Sequence, residues 1–134
     1  MASALGVARL APIFFAVVAT ASLSAVRGDK VAFGDATLKE AVGEWCYNAT
    51  RVAAQTKYGG INTWDTSGVK VMKDLFKNKG EFNDDIDSWK TSAVVDMSCM
   101  FGGAKSFNQD IDAWQIGSVS DVSEMFQGAC NKYR

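Results

Sequence analysis

The hydrophobic positions in residues 61–126 recur with a period of 25 residues. Trp64, Trp89 and Trp114 mark this period, and isoleucine, valine, methionine and phenylalanine positions keep fixed distances from them. A single unit of this length cannot bury so many apolar side chains alone, so the pattern predicts repeats that bury them against one another. The predicted repeat core consists of Ile61, Trp64, Val69, Met72, Leu75, Phe76, Phe82, Ile86, Trp89, Val94, Met97, Met100, Phe101, Phe107, Ile111, Trp114, Val119, Val122, Met125 and Phe126.

Each predicted unit has two parts. Residues 82–89 carry apolar side chains separated by polar ones, which favours a brief strand between turns. Residues 94–101 place apolar side chains at i, i+3, i+6 and i+7, which favours a short helix with Thr91 or Ser92 as its N-cap. The predicted fold class is therefore α/β: a short leucine-rich-repeat-like solenoid of about three 25-residue coils, each with a short strand and a short helix.

Residues 35–58 precede the repeats and show helical spacing of apolar side chains instead. A capping-box sequence at residues 37–40 and the stop signal Tyr58-Gly59-Gly60 predict one N-terminal capping helix of about 18–20 residues. We expect a capping region over residues 29–58 and three repeats over residues 59–134, the last one incomplete or truncated. Lys132 stands where the next phenylalanine is expected, so the last coil lacks a matching cap, which would favour self-association at that end.

Residues 1–28 have the parts of a secretory signal peptide. They contain Arg9 and Arg27, an apolar run from residue 10 to residue 18, small residues from 19 to 25 and no acidic residue. Candidate cleavage points lie between Ala21 and Gly28, and the Gly28–Asp29 bond is favoured. Cleavage there would release a secreted or cell-surface protein. The alternative is a retained anchor, and only in that case do we expect contact with a membrane.

The composition of the chain limits the kinds of catalysis and binding that can be expected of it. The chain of 134 residues carries 14 basic and 15 acidic side chains and no histidine, so it lacks the usual general base and the commonest zinc ligand. Without a basic excess it is not expected to bind nucleic acid, and nothing in it indicates a cofactor. Cys46, Cys99 and Cys130 leave the disulfide state open, because an odd number leaves one thiol over. Asn48 begins a sequon for N-glycosylation.

Acidic residues at the start of two repeats are the weak candidates for a site. Asp85 and Asp87 in one repeat correspond to Asp110 and Asp112 in the next, and calcium prefers such oxygen ligands. Asn and Asp also cap turns through neighbouring backbone groups, so the expected role is structural, with no metal and no catalytic residue. A calcium-stabilised extracellular module is the alternative, and a carboxylate-based hydrolase is a remote one.

The repeat motif is shared by a known family. Residues 82–104 have Phe-Asn-x-Asp-Ile-x-x-Trp followed by Val-x-x-Met-x-x-Met-Phe-x-x-Ala, and residues 107–129 repeat this order with Val122 in place of methionine. This pattern resembles the BspA-like leucine-rich-repeat surface-protein family. The resemblance implies surface display and binding to proteins or extracellular matrix, with no shared catalytic residues.

The sequence thus predicts a secreted or cell-surface scaffold that binds an extracellular protein or matrix ligand and is not an enzyme. Side chains outside the core columns differ between repeats: Ser88 corresponds to Ala113, and Lys90 corresponds to Gln115. Such variation on a common core is typical of the exposed face of repeat proteins.

Overall fold

The computed structural model describes residues 30–129 of the chain. Helix α1 spans Asp35–Cys46, helix α2 spans Arg51–Tyr58, and a short 3₁₀ helix follows at Ile61–Thr63. The remaining described residues form turns, irregular segments and isolated β-bridges. The predicted signal peptide at residues 1–28 and Cys130 lie outside the described residues.

Helix α1 begins one turn earlier than the predicted capping box. Its N-cap is Gly34, whose backbone N–H donates to the Thr37 hydroxyl at 2.9 Å while that hydroxyl donates to the Gly34 carbonyl. Thr37 is therefore the third helical residue and satisfies one of the free N–H groups of the helix start. The helix buries one apolar stripe against the first repeat: Leu38, Ala41, Val42 and Trp45.

The capping region contains two helices, so the prediction of one continuous helix is wrong. Tyr47 leaves the helical region with ψ of 117°, and α2 begins only at Arg51. The Thr50 hydroxyl donates to the Glu44 carbonyl at 2.6 Å. In a continuous helix that carbonyl would accept the N–H of Asn48, so the side chain of Thr50 supports the break.

Backbone hydrogen bonds join each repeat to the next. In one set of these bonds, an N–H group donates to the carbonyl 24 residues later, at every second position along the segment. From the first repeat to the second, the bonds join Met72 to Asp96, Asp74 to Ser98, Phe76 to Met100 and Asn78 to Gly102 at 2.7–3.0 Å. From the second to the third, they join Met97 to Asp121, Cys99 to Ser123, Phe101 to Met125 and Gly103 to Gln127 at 2.8–2.9 Å.

Aromatic rings at equivalent positions form columns through the core. The ring centroids of Phe76, Phe101 and Phe126 follow one another at 5.4 and 5.5 Å, with interplanar angles of 2° and 3°. Phe82 and Phe107 stack in a second column at 5.8 Å. The 25-residue register of the sequence is thus the register in which the repeats contact each other.

The predicted α/β fold class is wrong. Among residues 30–129 there is no α-helix after Tyr58 and no extended strand, and parallel pairing is limited to three isolated bridges, Ala32–Asp65, Val71–Asp96 and Asp96–Asp121. The protein is therefore not a leucine-rich-repeat solenoid with a strand and a helix in each coil.

Positive backbone φ angles explain why residues 94–101 do not form the predicted helix. Cys99 has φ of 55°, which lies outside the right-handed helical region, and Asp74 and Glu124 repeat it at 57° and 55°. The N–H of Cys99 donates to the next repeat instead of to the carbonyl four residues earlier. The segment is therefore a run of tight turns, and Thr91 caps no helix there.

The predicted core residues differ in burial along the chain. All those from Ile61 to Phe107 are buried, as are Trp114 and Met125. Ile111, Val119 and Phe126 are partly buried, while Val122 is 55% exposed. The assignment of Val122 to the core is wrong, because no further repeat within the described residues covers the third one.

A carboxylate closes the opposite end of the hydrogen-bond pattern. Asp35 Oδ1 accepts the backbone N–H groups of Lys70 at 2.7 Å and of Val71 at 3.1 Å. One repeat later, the Lys70 carbonyl accepts the N–H groups of Val95 and Asp96 in the same way. Asp35 thus takes the place of the carbonyl that a preceding repeat would supply.

Candidate binding surface

A shallow groove on the side of the molecule spans the second and third repeats. Its volume is about 310 Å³, and we call it the lateral groove. Exposed side chains from both repeats line it: Asp85, Ser88 and Lys90 from the second, and Ala113 and Gln115 from the third, with the partly buried Asp87 between them. The repeats differ at two of these positions, where Ser88 corresponds to Ala113 and Lys90 to Gln115, whereas the counterparts of Asp85 and Asp87 are also aspartates.

The acidic residues of the groove hold backbone groups. Asp85 Oδ1 accepts the N–H of Asp87 at 3.0 Å, and Asp87 Oδ1 accepts the N–H of Ala113 in the next repeat at 3.2 Å. Asp110 and Asp112, their counterparts in the third repeat, are exposed. Across residues 30–129, no three acidic or cysteine side chains come close enough to hold a metal ion.

Three other aspartates form a set that the sequence analysis missed. Asp65, Asp96 and Asp121 each accept the N–H of the serine two residues later, at 2.8–3.0 Å. The N–H of Ser67 lowers the pKa of Asp65, and the hydroxyl of Ser123 lowers the pKa of Asp121. Asp65 and Asp121 therefore stay negatively charged near neutral pH. The recurring Asp-x-Ser tripeptide was the available signal for them.

Asp84 fastens the capping helices to the second repeat, a role that the sequence analysis also missed. Its carboxylate accepts the indole N–H of Trp45 at 3.0 Å and an N–H of Arg51 at 2.6 Å. The Arg51 guanidinium lies 4.9 Å from the centre of the Trp45 ring. The third repeat has Gln109 at the corresponding position. The sequence signal for the role of Asp84 was therefore a carboxylate that only one of these two repeats carries.

A second cavity of about 290 Å³ lies between the capping helices and the repeats. It is lined by polar and charged side chains, together with Cys46 and Phe82. Burial raises the pKa of the Cys46 thiol to about 11, so this group is protonated at neutral pH. Burial also raises the pKa of Cys99. Both thiols are free. Because the Cys46 thiol is protonated at neutral pH, it is not an activated nucleophile in this cavity.

Asn48, the candidate glycosylation site, lies in the connection between α1 and α2. Its side chain is exposed, so an attached glycan would extend into solvent without displacing the core. None of the helices described within residues 30–129 is long and apolar enough to cross a membrane.

These features define the class of the protein: short stacked repeats of turns, joined by backbone hydrogen bonds and closed at one end by two helices. Residues 35–133 match the family described as Mycoplasma protein of unknown function, DUF285. The chain belongs to this family, and the match includes both the capping helices and the repeats. No curated protein and no solved structure matches the chain significantly.

Proposed function

We propose that the protein is a secreted or cell-surface binding module whose lateral groove contacts an extracellular protein or matrix ligand. The observation that supports this proposal is the contrast between the core and the groove. Phenylalanine occupies the same core position in all three repeats, whereas the exposed groove positions change from Ser88 to Ala113 and from Lys90 to Gln115. A constant core beneath varied exposed side chains is what a repeat scaffold needs to present a specific surface.

The chemistry of the groove favours a polar ligand surface. Asp85 and Lys90 place a carboxylate and an ammonium group among neutral polar side chains, and both are exposed. Such a mixed rim is suited to hydrogen bonds and ion pairs with a protein, since it offers both donors and acceptors. It offers little enclosed apolar area for a small molecule.

The resemblance to BspA-like surface repeats supports the proposed location of the protein, which is secreted or at the cell surface. The 25-residue motif is of that type, and residues 1–28 have the composition of a cleaved signal peptide. Both features fit a protein that acts outside the cytoplasm.

The location can be tested by N-terminal sequencing of the protein recovered from the medium or from the cell surface. We expect the first residue to lie between Ala21 and Lys30. An intact Met1 on protein found only in the cytosol would contradict the proposal.

Binding can be tested with the purified mature chain passed over immobilised collagen, fibronectin and laminin in a surface plasmon resonance experiment. We expect saturable binding to at least one of them, weakened at least tenfold by Lys90→Glu, because the substitution reverses a charge at the groove. Lys39→Glu is the matched control, since Lys39 is an exposed lysine on helix α1. Binding to none of the three proteins, or equal weakening by the two variants, would overturn the proposal.

A further inference from the structure

The cavity between the capping helices and the repeats contains a break in the repeat pattern. Its wall includes Lys79, at the position where the second and third repeats have Ala104 and Ala129. The two alanines are buried, with 0% and 2% of their surface exposed, and Lys79 is itself partly buried. Lysine is among the residues least often buried, so packing alone does not account for it at this position. The residue therefore points to a role within the cavity.

The ammonium group of Lys79 has no acidic partner in the part of the chain that the structure describes. The ion pairs formed there join Arg51 to Asp84, Lys57 to Glu44 and Lys77 to Asp74. Glu81 also lines the cavity, but it is exposed and forms no ion pair with Lys79. Because a nearby anion offsets the cost of removing a cation from water, an anion in the cavity would stabilise Lys79.

A second cation lines the same cavity from the capping helices. Arg51 begins helix α2, and one of its terminal nitrogens donates to the Asp84 carboxylate at 2.6 Å. The guanidinium also lies 4.9 Å from the centre of the Trp45 ring, so two contacts hold it in place. A guanidinium has five N–H groups, and those not used by Asp84 can donate to another oxyanion. The cavity thus combines a positioned guanidinium with an unpaired ammonium group.

The other lining side chains are mostly neutral. Asn48, from the connection between α1 and α2, and Asn78, from the first repeat, contribute exposed amides that can donate and accept hydrogen bonds. Burial raises the pKa of the Cys46 thiol to about 11, and the positive charge of Lys79 opposes this rise. The ammonium group therefore acts electrostatically at Cys46, and the protonated thiol adds no negative charge to the cavity.

We propose that this cavity binds a small ligand through a carboxylate or sulfate group, with Lys79 and Arg51 as the cations that recognise the negative charge. The amides of Asn48 and Asn78 are placed to bind the neutral polar part of the ligand. The volume of about 290 Å³ is at the lower end of small-molecule sites, roughly 300–1,000 Å³. The cavity and the lateral groove have no lining residue in common, so the inference goes beyond the proposed function and does not rest on it.

The test measures how fast iodoacetamide alkylates Cys46, because an anion bound beside this thiol should shield it. The full chain is produced without a glycan on Asn48 and is treated at pH 9 with increasing sodium sulfate or sodium glucuronate, at constant ionic strength. Mass spectrometry follows the Cys46 peptide, with Cys99, which does not line the cavity, as the internal control. We expect at least one of the two anions to slow the alkylation of Cys46 at least threefold in a saturable manner, and the neutral sugar glucose to leave it unchanged.

Lys79→Ala should abolish this protection, because it removes the unpaired cation. The variant introduces the residue that Ala104 and Ala129 supply in the other repeats, so the fold should be retained. Lys105→Ala is the matched control, since Lys105 is exposed and does not line the cavity. Protection by sulfate alone would identify a sulfate group as the ligand chemistry, and protection by glucuronate alone would identify a carboxylate.

Three results would overturn the inference. The first is no saturable protection of Cys46 by either anion, which the unsubstituted chain alone can show. The second is equal protection by glucose, which would mean that the cavity does not select negative charge. The third is protection that Lys79→Ala and Lys105→Ala leave equally strong. None of these results bears on matrix binding, because Lys90→Glu tests the lateral groove separately.

Discussion

Gly103 lies so close to Asn78 in the preceding repeat that a Cβ on this glycine would be 2.6 Å from Asn78 Oδ1. Gly103 also has φ of 73°, a conformation that favours glycine. Gly128, its counterpart in the third repeat, has φ of 70°, but the nearest atom to its added Cβ would be 3.8 Å away. The two glycines therefore share a backbone conformation and differ in the space around them.

We expect Gly103→Ala to lower the free energy of unfolding by roughly 2–3 kcal/mol, and Gly128→Ala by about 1 kcal/mol. Both variants adopt a strained backbone, but only the first also displaces a neighbouring side chain. Urea denaturation of the two variants measures the difference. Equal losses would show that Asn78 moves aside at no cost.

The Asp35 carboxylate is expected to stabilise the first repeat through its bonds to the N–H groups of Lys70 and Val71. Asp35→Ala should lower the free energy of unfolding by about 1–2 kcal/mol, because it leaves these donors without their acceptor. Asp35→Asn keeps an acceptor oxygen and should lose less. Glu40→Ala on the exposed side of α1 is the control, with an expected change below about 0.5 kcal/mol. A loss no larger than that of the control would contradict this role.

Trp89 and Lys90 are neighbours in sequence that differ fully in environment. Trp89 is 2% exposed and donates its indole N–H to the first repeat, while Lys90 is exposed. We expect Trp89→Ala to cost roughly 3–5 kcal/mol of stability, as for other large buried aromatics. Lys90→Ala should change stability by less than about 0.5 kcal/mol. Chemical denaturation of the two variants measures these changes. Similar midpoints for Trp89→Ala and Lys90→Ala would contradict the structural role of the tryptophan column.

The raised pKa of Cys46 predicts slow alkylation of its thiol. Burial raises that pKa from 9.0 to about 11, so at pH 8 the reactive thiolate should be about 100-fold scarcer than in an exposed cysteine. Its rate of reaction with iodoacetamide should increase about tenfold per pH unit up to pH 10. Mass spectrometry of the Cys46 peptide measures this rate, with the urea-unfolded chain as the control. A rate that levels off near pH 9 would contradict the prediction.

Calcium is expected to leave the thermal stability unchanged. Asp85 and Asp87 already accept backbone N–H groups, so their oxygens stabilise turns without an ion. A structural site would add about 2.7 kcal/mol at a hundredfold excess of calcium over its Kd. Melting curves in millimolar calcium and in excess chelator compare the two cases. A rise of several degrees that Asp85→Asn with Asp110→Asn abolishes would show a calcium site.

The register of the repeats could be predicted from sequence, because buried columns impose the same residue type every 25 positions, as in Phe76, Phe101 and Phe126. Their local conformation could not. Apolar side chains three and four residues apart mark a helix, but a series of tight turns gives nearly the same spacing. The positive φ of Cys99 distinguishes the tight turns from a helix. Cysteine has no special preference for positive φ, so residue type at this position does not indicate the turn.

The contacts and surface positions outside the core were also only partly predictable from the sequence. The variable groove positions could be found by comparing one repeat with the next, since Lys90 and Gln115 occupy equivalent positions. The role of Asp35 could not be found in that way, because its acceptor bonds reach backbone groups 35 and 36 residues later, and any residue can supply such groups. Contacts between a unique capping segment and a repeat leave no periodic signal.

The constant offset of 24 residues between hydrogen-bonded donors and acceptors has a consequence for how genes of this type can change. Duplication or loss of one whole unit restores every donor to an equivalent acceptor, whereas an insertion of another length changes the offset of every donor–acceptor pair that spans it. Unequal recombination between the similar coding segments would therefore produce folded proteins of different lengths. Related proteins are accordingly expected to differ by whole units and to keep the two helices at one end.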